Sequence, residues 1–103
     1  DEVAKRVLVG DWTPWEHNLL LKGELCAMAL DTPFFNGHTT TYEMTWSGIP
    51  VLTFPQGEIF FGRLGASIVT AASPTDSRRL PHLGRYLVTR NLVEYEELGV
   101  RIL

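Results

Sequence analysis

From residue 31 to residue 43 the chain reads Asp31-Thr32-Pro33-Phe34-Phe35-Asn36-Gly37-His38-Thr39-Thr40-Thr41-Tyr42-Glu43, an acidic strand end, a glycine turn and three threonines at an expected helix start. That order suits an anion. The first backbone N–H groups of a helix lack intrahelical partners and sit at the positive end of its dipole, which is worth about 0.3–1 kcal/mol for a bound charge and up to ~2 when sheltered. Gly37 lets a backbone approach phosphate, Thr39 and Thr40 bring hydroxyls to the same oxygens, and His38 can donate to a diphosphate or stack beside it. Glu43 follows Thr39 and Thr40 by four and three residues, on the same helical face one turn deeper, where a carboxylate can accept both hydroxyls of a ribose. Asn36 completes the turn and is read with Gly37, His38, Thr39 and Thr40 as part of the phosphate-facing, ligand-binding segment. The chain carries neither a P-loop nor G-x-G-x-x-G. Residue by residue, a threonine cluster also serves as a helix cap, and an early glutamate also complements the dipole.

Elsewhere the residue types point to structure rather than chemistry. His17 and His82 have no partner spacing for a metal, and no carboxylate pair or His/Cys cluster has ligand spacing, so no metal or cofactor is expected. Trp12, Trp15 and Trp46 read as packing residues, Cys26 as a buried core thiol, and Arg78-Arg79 as part of a solvated loop.

The elements that must position the 31–43 segment alternate along the chain. Val7-Leu8-Val9-Gly10 reads as a buried strand and turn. Thr13-Pro14-Trp15-Glu16 reads as a capping box opening a helix to about Lys22, ended by Gly23. The unbroken apolar run Leu25 to Leu30 predicts a strand covered on both faces, with Asp31 at its carboxyl end. A helix over His38 to Ser47 is expected to turn Tyr42, Thr45 and Trp46 inward and to stop at Gly48. Ile49 to Phe54 is a third strand, and Ile59 to Ala72 a helix in which Gly65 permits close approach of a neighbour. A surface loop from Ser73 to Leu83, a short strand Tyr86 to Thr89, and a helix capped by Asn91 with Leu92, Tyr95, Leu98 and Ile102 inward complete the order. This alternation implies a single α/β unit with a parallel sheet, whose ligands collect outside the carboxyl ends of the strands.

Bulk composition bounds the partners. A chain of 103 residues with 45% hydrophobic and 20% charged residues has the make-up of one folded domain or part of one. Its net charge of −3 offers no footprint for nucleic acid or an anionic membrane. No apolar stretch approaches the roughly 20 residues of a membrane-spanning helix, and a lone cysteine suits a reducing compartment. The start without Met, close to the first strand signal, reads as that of a fragment.

Leu30-Asp31-Thr32-Pro33, Asn36-Gly37-His38-Thr39-Thr40 and Trp46-Ser47-Gly48-Ile49-Pro50-Val51 occur together and in order. So do Gly57-Glu58, Arg63 with Gly65-Ala66-Ser67, and Glu94-Tyr95-Glu96-Glu97. With these blocks, nearly the whole chain resembles the C-terminal catalytic lobe of protein O-linked N-acetylglucosamine transferases and the related Spindly proteins.

The resemblance implies a GT-B glycosyltransferase of two Rossmann-like lobes, usually preceded by tetratricopeptide repeats, acting on Ser and Thr hydroxyls of cytoplasmic and nuclear proteins. Residues 1–103 would be the latter part of the C-terminal, nucleotide-sugar-binding lobe. His38, Thr39 and Thr40 would then hold the UDP diphosphate, Glu43 would take the ribose position, and the turn at Thr13-Pro14 would face the nucleobase. His17 matches a family histidine once a small insertion is allowed, and Trp15 stands where the family has Lys. Thr41-Tyr42-Glu43 replaces a frequent Gly-x-Asp and resembles Spindly and some bacterial or protist members; the donor expected from the resemblance is UDP-N-acetylglucosamine, with GDP-fucose, as in Spindly-type proteins, as the alternative. The 73–83 loop is longer than in the animal enzymes. The family's phosphate-binding Lys and its acceptor-side His fall upstream of residue 1, so partners would include the upstream half of the enzyme, the sugar nucleotide and the acceptor protein. The isolated chain is expected to bind nucleotide weakly and to transfer no sugar; on another reading, the chain is a non-catalytic interaction module.

Overall fold

The computed structural model describes residues 1–73 and 83–102. Its elements are α1 (Trp15–Leu25), β1 (Ala29–Leu30), α2 (Thr39–Trp46), β2 (Val51–Leu52), α3 (Leu64–Ala72), α4 (Leu83–Leu87) and α5 (Leu92–Ile102), with 3-10 turns at Ala4–Arg6 and Phe60–Gly62. β1 and β2 run parallel with Ala29 opposite Val51 and Leu30 opposite Leu52, so β1-α2-β2 is the parallel crossover that the alternation predicts. The sheet is extended on the far side of β2 by a parallel bridge from Thr53 to Val88.

β2 is the centre of the core. Val51 and Leu52 are buried together with Val69 of α3 and Leu87 of α4, and Met28, Ala29, Met44, Tyr95 and Leu98 close around them. A fully enclosed Leu is worth about 1.5–3 kcal/mol relative to an exposed one, so β2 anchors the unit. α2 ends as its sequence requires. Gly48 takes φ +77 and donates to Thr45 O at 3.1 Å, while Ile49 N reaches back to Met44 O at 2.9 Å, a Schellman closure that only glycine enters without strain. Asn91 caps α5, accepting from Glu94 N at 2.8 Å.

Several expectations are corrected. Val7 to Gly10 is not a strand, and Leu8 and Val9 are exposed, because among the described residues no neighbouring strand is there to receive them. Pro14, not Thr13, precedes the first turn of α1, no side chain caps it, and the helix runs through Gly23 to Leu25. Gly23 is tolerated inside α1 at a cost of about 1 kcal/mol. Only the last two residues of the apolar run form β1, and Cys26 is exposed rather than a core thiol. Leu30 is exposed as well, so the run is not covered on both faces.

On α2 the inward positions are Thr41 and Met44, while Tyr42 and Trp46 face out. Trp12 and Trp15 are exposed too, so none of the three indoles is a core residue. α3 begins at Leu64, after the 3-10 turn, not at Ile59. Tyr86 to Thr89 contributes the end of α4 and one bridge rather than a strand. Leu92 and Ile102 are exposed, leaving Tyr95 and Leu98 as the inward residues of α5. His82, Arg78-Arg79 and most of the expected 73–83 loop lie outside the described residues.

Candidate functional site

The segment from Asp31 to His38 leaves the carboxyl end of β1 and turns into α2, and its shape is set by two buried polar side chains. Asp31 is buried and accepts three hydrogen bonds: from Thr32 N at 3.0 Å, from Gly37 N at 2.7 Å and from Thr53 Oγ1 at 2.8 Å. Asn36, fully enclosed, donates from Nδ2 to Thr32 O at 3.0 Å and accepts from Gly65 N at 3.0 Å. Its own amide donates to Phe61 O at 2.7 Å. The turn is thereby tied to β1, to β2 and to the start of α3. A buried polar group without such partners would cost about 1–3 kcal/mol, so each bond is a constraint on geometry.

Two glycines make this closeness possible. A Cβ on Gly65 would collide with the Asp31 carboxylate and lie 2.7 Å from Thr53 Oγ1, and one on Gly37 would lie 2.7 Å from Thr41 Oγ1. The close approach expected at Gly65 is therefore to the Asp31–Asn36 network. Gly37 serves a different purpose from the one its position implied, since its N–H is directed to Asp31 and is not offered outward.

α2 then starts with no side-chain cap, His38 occupying the cap position. Thr39 and Thr40 are exposed at this end and do not cap the helix, contrary to the capping role that a threonine cluster can also serve. A cleft opens at the carboxyl end of β1, lined by Asp31, Thr32, Gly37, Thr40, Thr41 and Met44. His38 lies in an aromatic group, stacked on Phe35 at 5.1 Å and on Phe61 at 5.8 Å between ring centroids, with Phe60 edge-on at 5.7 Å. Its Nε2 is enclosed there without a hydrogen-bond partner. Phe34, exposed beside this group, holds φ +65, a left-handed conformation rare for a bulky residue and found where a loop is tightly determined.

Glu43 lies on α2 and faces α1. Trp15 Nε1 donates to Oε1 at 2.7 Å, and Lys22 Nζ stands 3.7 Å from Oε2, with both partners of the ion pair partly buried. Trp15 and Lys22 are seven residues apart, two turns along one face of α1. His17 follows Trp15 by two residues, about 200° around the helix, and is exposed. The structure thus places Asn36, Gly37, His38, Thr39 and Thr40 along the turn from β1 into α2, sets Glu43 against α1, and turns His17 away. Thr13 stays near the start of α1, accepting from Asn18 Nδ2 at 3.2 Å.

Behind the site, Tyr95 of α5 donates to Asp31 O at 2.8 Å. Burial, followed by the nearby Asp31 charge, raises the Tyr95 phenol above its ordinary value. Local pattern does not reveal Trp15, Lys22 or Thr53 as partners of the segment, because each reaches it across a separation that only the packed chain closes, and at Gly65 it reveals the close approach but not the partner. Among the described residues no group of three or more His, Cys, Asp or Glu could hold a metal ion. No described helix is long and apolar enough to cross a membrane.

Comparison with known proteins places this geometry in a family. The model of glycosyl transferase family 41 matches residues 3–102. A probable UDP-N-acetylglucosamine–peptide N-acetylglucosaminyltransferase, SEC, of Arabidopsis thaliana is 35% identical over 78 residues, covering 76% of this chain and 7% of that protein. The UDP-N-acetylglucosamine–peptide N-acetylglucosaminyltransferase of Caenorhabditis elegans is 33% identical over 82 residues, covering 79% of this chain and 6% of that protein. The chain therefore corresponds to less than a tenth of the length of either relative. With the family match spanning almost every residue and both relatives agreeing over three quarters of the chain, this chain belongs to glycosyl transferase family 41.

Proposed function

We propose that the chain is the donor-nucleotide-binding part of a protein O-linked N-acetylglucosamine transferase, within the C-terminal Rossmann-like lobe of a GT-B enzyme. The observation that carries the reading is the start of α2: an uncapped helix end with two exposed threonines, at the carboxyl end of a parallel strand. Open amides and the helix dipole favour the diphosphate, the Thr39 and Thr40 hydroxyls donate to its oxygens, and His38 lies alongside. Glu43, one turn deeper, accepts the ribose hydroxyls. The names of both relatives, UDP-N-acetylglucosamine–peptide N-acetylglucosaminyltransferases, support UDP-N-acetylglucosamine as the sugar nucleotide and a polypeptide as the acceptor.

The chain supplies donor binding and not the transfer step. Removing the acceptor proton needs a base, and the departing diphosphate needs a cation or an oriented dipole. Lys22, the cationic side chain beside Glu43, is engaged by that carboxylate.

Calorimetric titration of the chain with UDP and with GDP tests the reading. Weak, saturable binding of UDP, abolished by His38→Ala with Glu43→Ala, is expected. Preference for GDP would move the assignment to a fucosyl donor, and absence of binding to either would make the chain an interaction module.

A further inference from the structure

Asn36-Gly37 is the one Asn-Gly pair in the chain, and it lies in the turn that leads from β1 into α2. In an open chain an asparagine before glycine is chemically labile, because glycine has no Cβ to keep its nitrogen away from the preceding side chain. We propose that Asn36 is a latent deamidation site held closed by the Asp31–Asn36–Gly65 network. The folded turn suppresses a reaction that converts the residue irreversibly once the turn opens.

The reaction needs only water. Gly37 N, having lost its proton to a solvent base, attacks Asn36 Cγ. The new N–Cγ bond closes a cyclic imide, the Cγ–Nδ2 bond breaks, and Nδ2 leaves as ammonia with a proton taken from water. Water then opens the imide at either carbonyl, leaving aspartate or β-linked isoaspartate at position 36. The net change is a side-chain amide and water into a carboxylic acid and ammonia.

Each step is opposed in the folded turn. Gly37 N donates to Asp31 Oδ1 at 2.7 Å, so the nitrogen anion would form beside a carboxylate, which disfavours it. Asn36 Nδ2 donates to Thr32 O at 3.0 Å, and its Oδ1 accepts from Gly65 N at 3.0 Å. Closing the ring has to pull the side chain out of both bonds, while Asn36 N is tied to Phe61 O at 2.7 Å. The residue is also fully enclosed, which keeps away the water that would protonate the leaving nitrogen and open the imide.

The product cannot rebuild the turn. An ionised aspartate at 36 has no donor for Thr32 O, and its charge would be enclosed with that of Asp31, since Asp31 Oδ2 and Asn36 Cγ both lie against Gly65. Isoaspartate adds a methylene to the main chain and displaces Gly37 N from Asp31. Opening is therefore one-way for each molecule that converts. The inference stands apart from the donor-site reading, because it concerns the turn whatever binds beside it.

The test incubates the chain in mildly alkaline buffer, folded and in denaturing urea, and follows Asn18, Asn36 and Asn91 by peptide mass spectrometry. Asn18 and Asn91 each precede leucine and serve as internal references. In urea, Asn36 should convert well ahead of both. In the folded chain its rate should fall by about 100-fold or more, since conversion then waits on rare opening. Thr53→Val keeps the side-chain shape but removes the donor to Asp31 Oδ2, and should speed conversion of the folded chain roughly 2- to 12-fold, the factor for one hydrogen bond. Gly65→Ala sets a methyl against Asp31 and Asn36, and should speed it roughly 5- to 150-fold. Neither should change the rate in urea. Each is compared with the unaltered chain brought to the same global stability by dilute urea, and should convert faster than that reference; if Gly65→Ala does not fold, Thr53→Val carries the comparison. Three results overturn the proposal: Asn36 converting no faster than Asn18 and Asn91 in urea, converting as fast folded as unfolded, or converting in the folded variants only at the rate of the stability-matched reference.

Discussion

Gly37 N donates to Asp31 Oδ1 at 2.7 Å, so the residue that ends β1 also fixes the last turn before α2. The same carboxylate accepts from Thr53 at the end of β2, which makes one buried side chain the joint between the sheet and the helix terminus. Asp31→Ala leaves the donors of Thr32, Gly37 and Thr53 unpaired and should destabilise the chain by about 3 kcal/mol or more. Asp31→Asn keeps the acceptor toward Gly37, and the Thr53 hydroxyl can turn to accept, so it should cost about 1–2 kcal/mol. Urea denaturation of the two variants measures the difference, and equal losses would contradict the joint.

Gly65→Ala places a methyl against the Asp31 carboxylate and the Asn36 side chain, where nothing flexible can yield. A loss of about 1–3 kcal/mol is expected, with weakened nucleotide binding in the folded fraction. Gly10→Ala and Gly23→Ala, which meet nothing within 4 Å, are the controls. A thermal shift no larger at Gly65 than at these sites would count against the network.

Thr39→Ala and Thr40→Ala should leave stability nearly unchanged, since neither hydroxyl caps α2. Each should weaken UDP binding by about 0.5–1.5 kcal/mol, the net contribution of one hydrogen bond. Melting and titration on the same samples separate the two effects. A large drop in melting temperature would return the threonines to a capping role.

Tyr95 has a folded-state pKa raised above its ordinary value near 10, first by burial and then by Asp31. The neutral phenol is therefore favoured in the folded state. Its contribution is fully present below the unfolded pKa and is lost as pH rises through the higher folded one. Stability should fall above about pH 10, and Tyr95→Phe should flatten that fall while removing the bond to Asp31 O, at about 0.5–1.5 kcal/mol. Denaturation midpoints between pH 8 and 11 check both.

Much of this was legible in the sequence. The β1-α2-β2 order, the glycine stop at Gly48 and the Asn91 cap follow from local signals, because turns and caps are decided within a few residues. The 31–43 segment was also placed at a strand end and helix start by local chemistry alone. What escaped was long-range. Val7 to Gly10 and Leu25 have strand-like composition but no neighbour among the described residues to pair with, and Trp46 is apolar yet faces out. Asn36 looked like a ligand residue and is instead a fully enclosed brace to Gly65, which lies 29 positions away. Glu43 lies on α2 as expected from the helix signal, but its contacts with Trp15 and Lys22 depend on how α1 lies across α2.

The central claim, that the α2 terminus receives the diphosphate of a sugar nucleotide, is tested most directly by following backbone amides of the ¹⁵N-labelled chain during UDP titration. Saturable shifts are expected at Thr39, Thr40 and Thr41, reproduced in part by inorganic diphosphate and abolished by His38→Ala with Glu43→Ala. Amides at the start of α2 that do not respond to millimolar UDP, while the chain is folded, would contradict it.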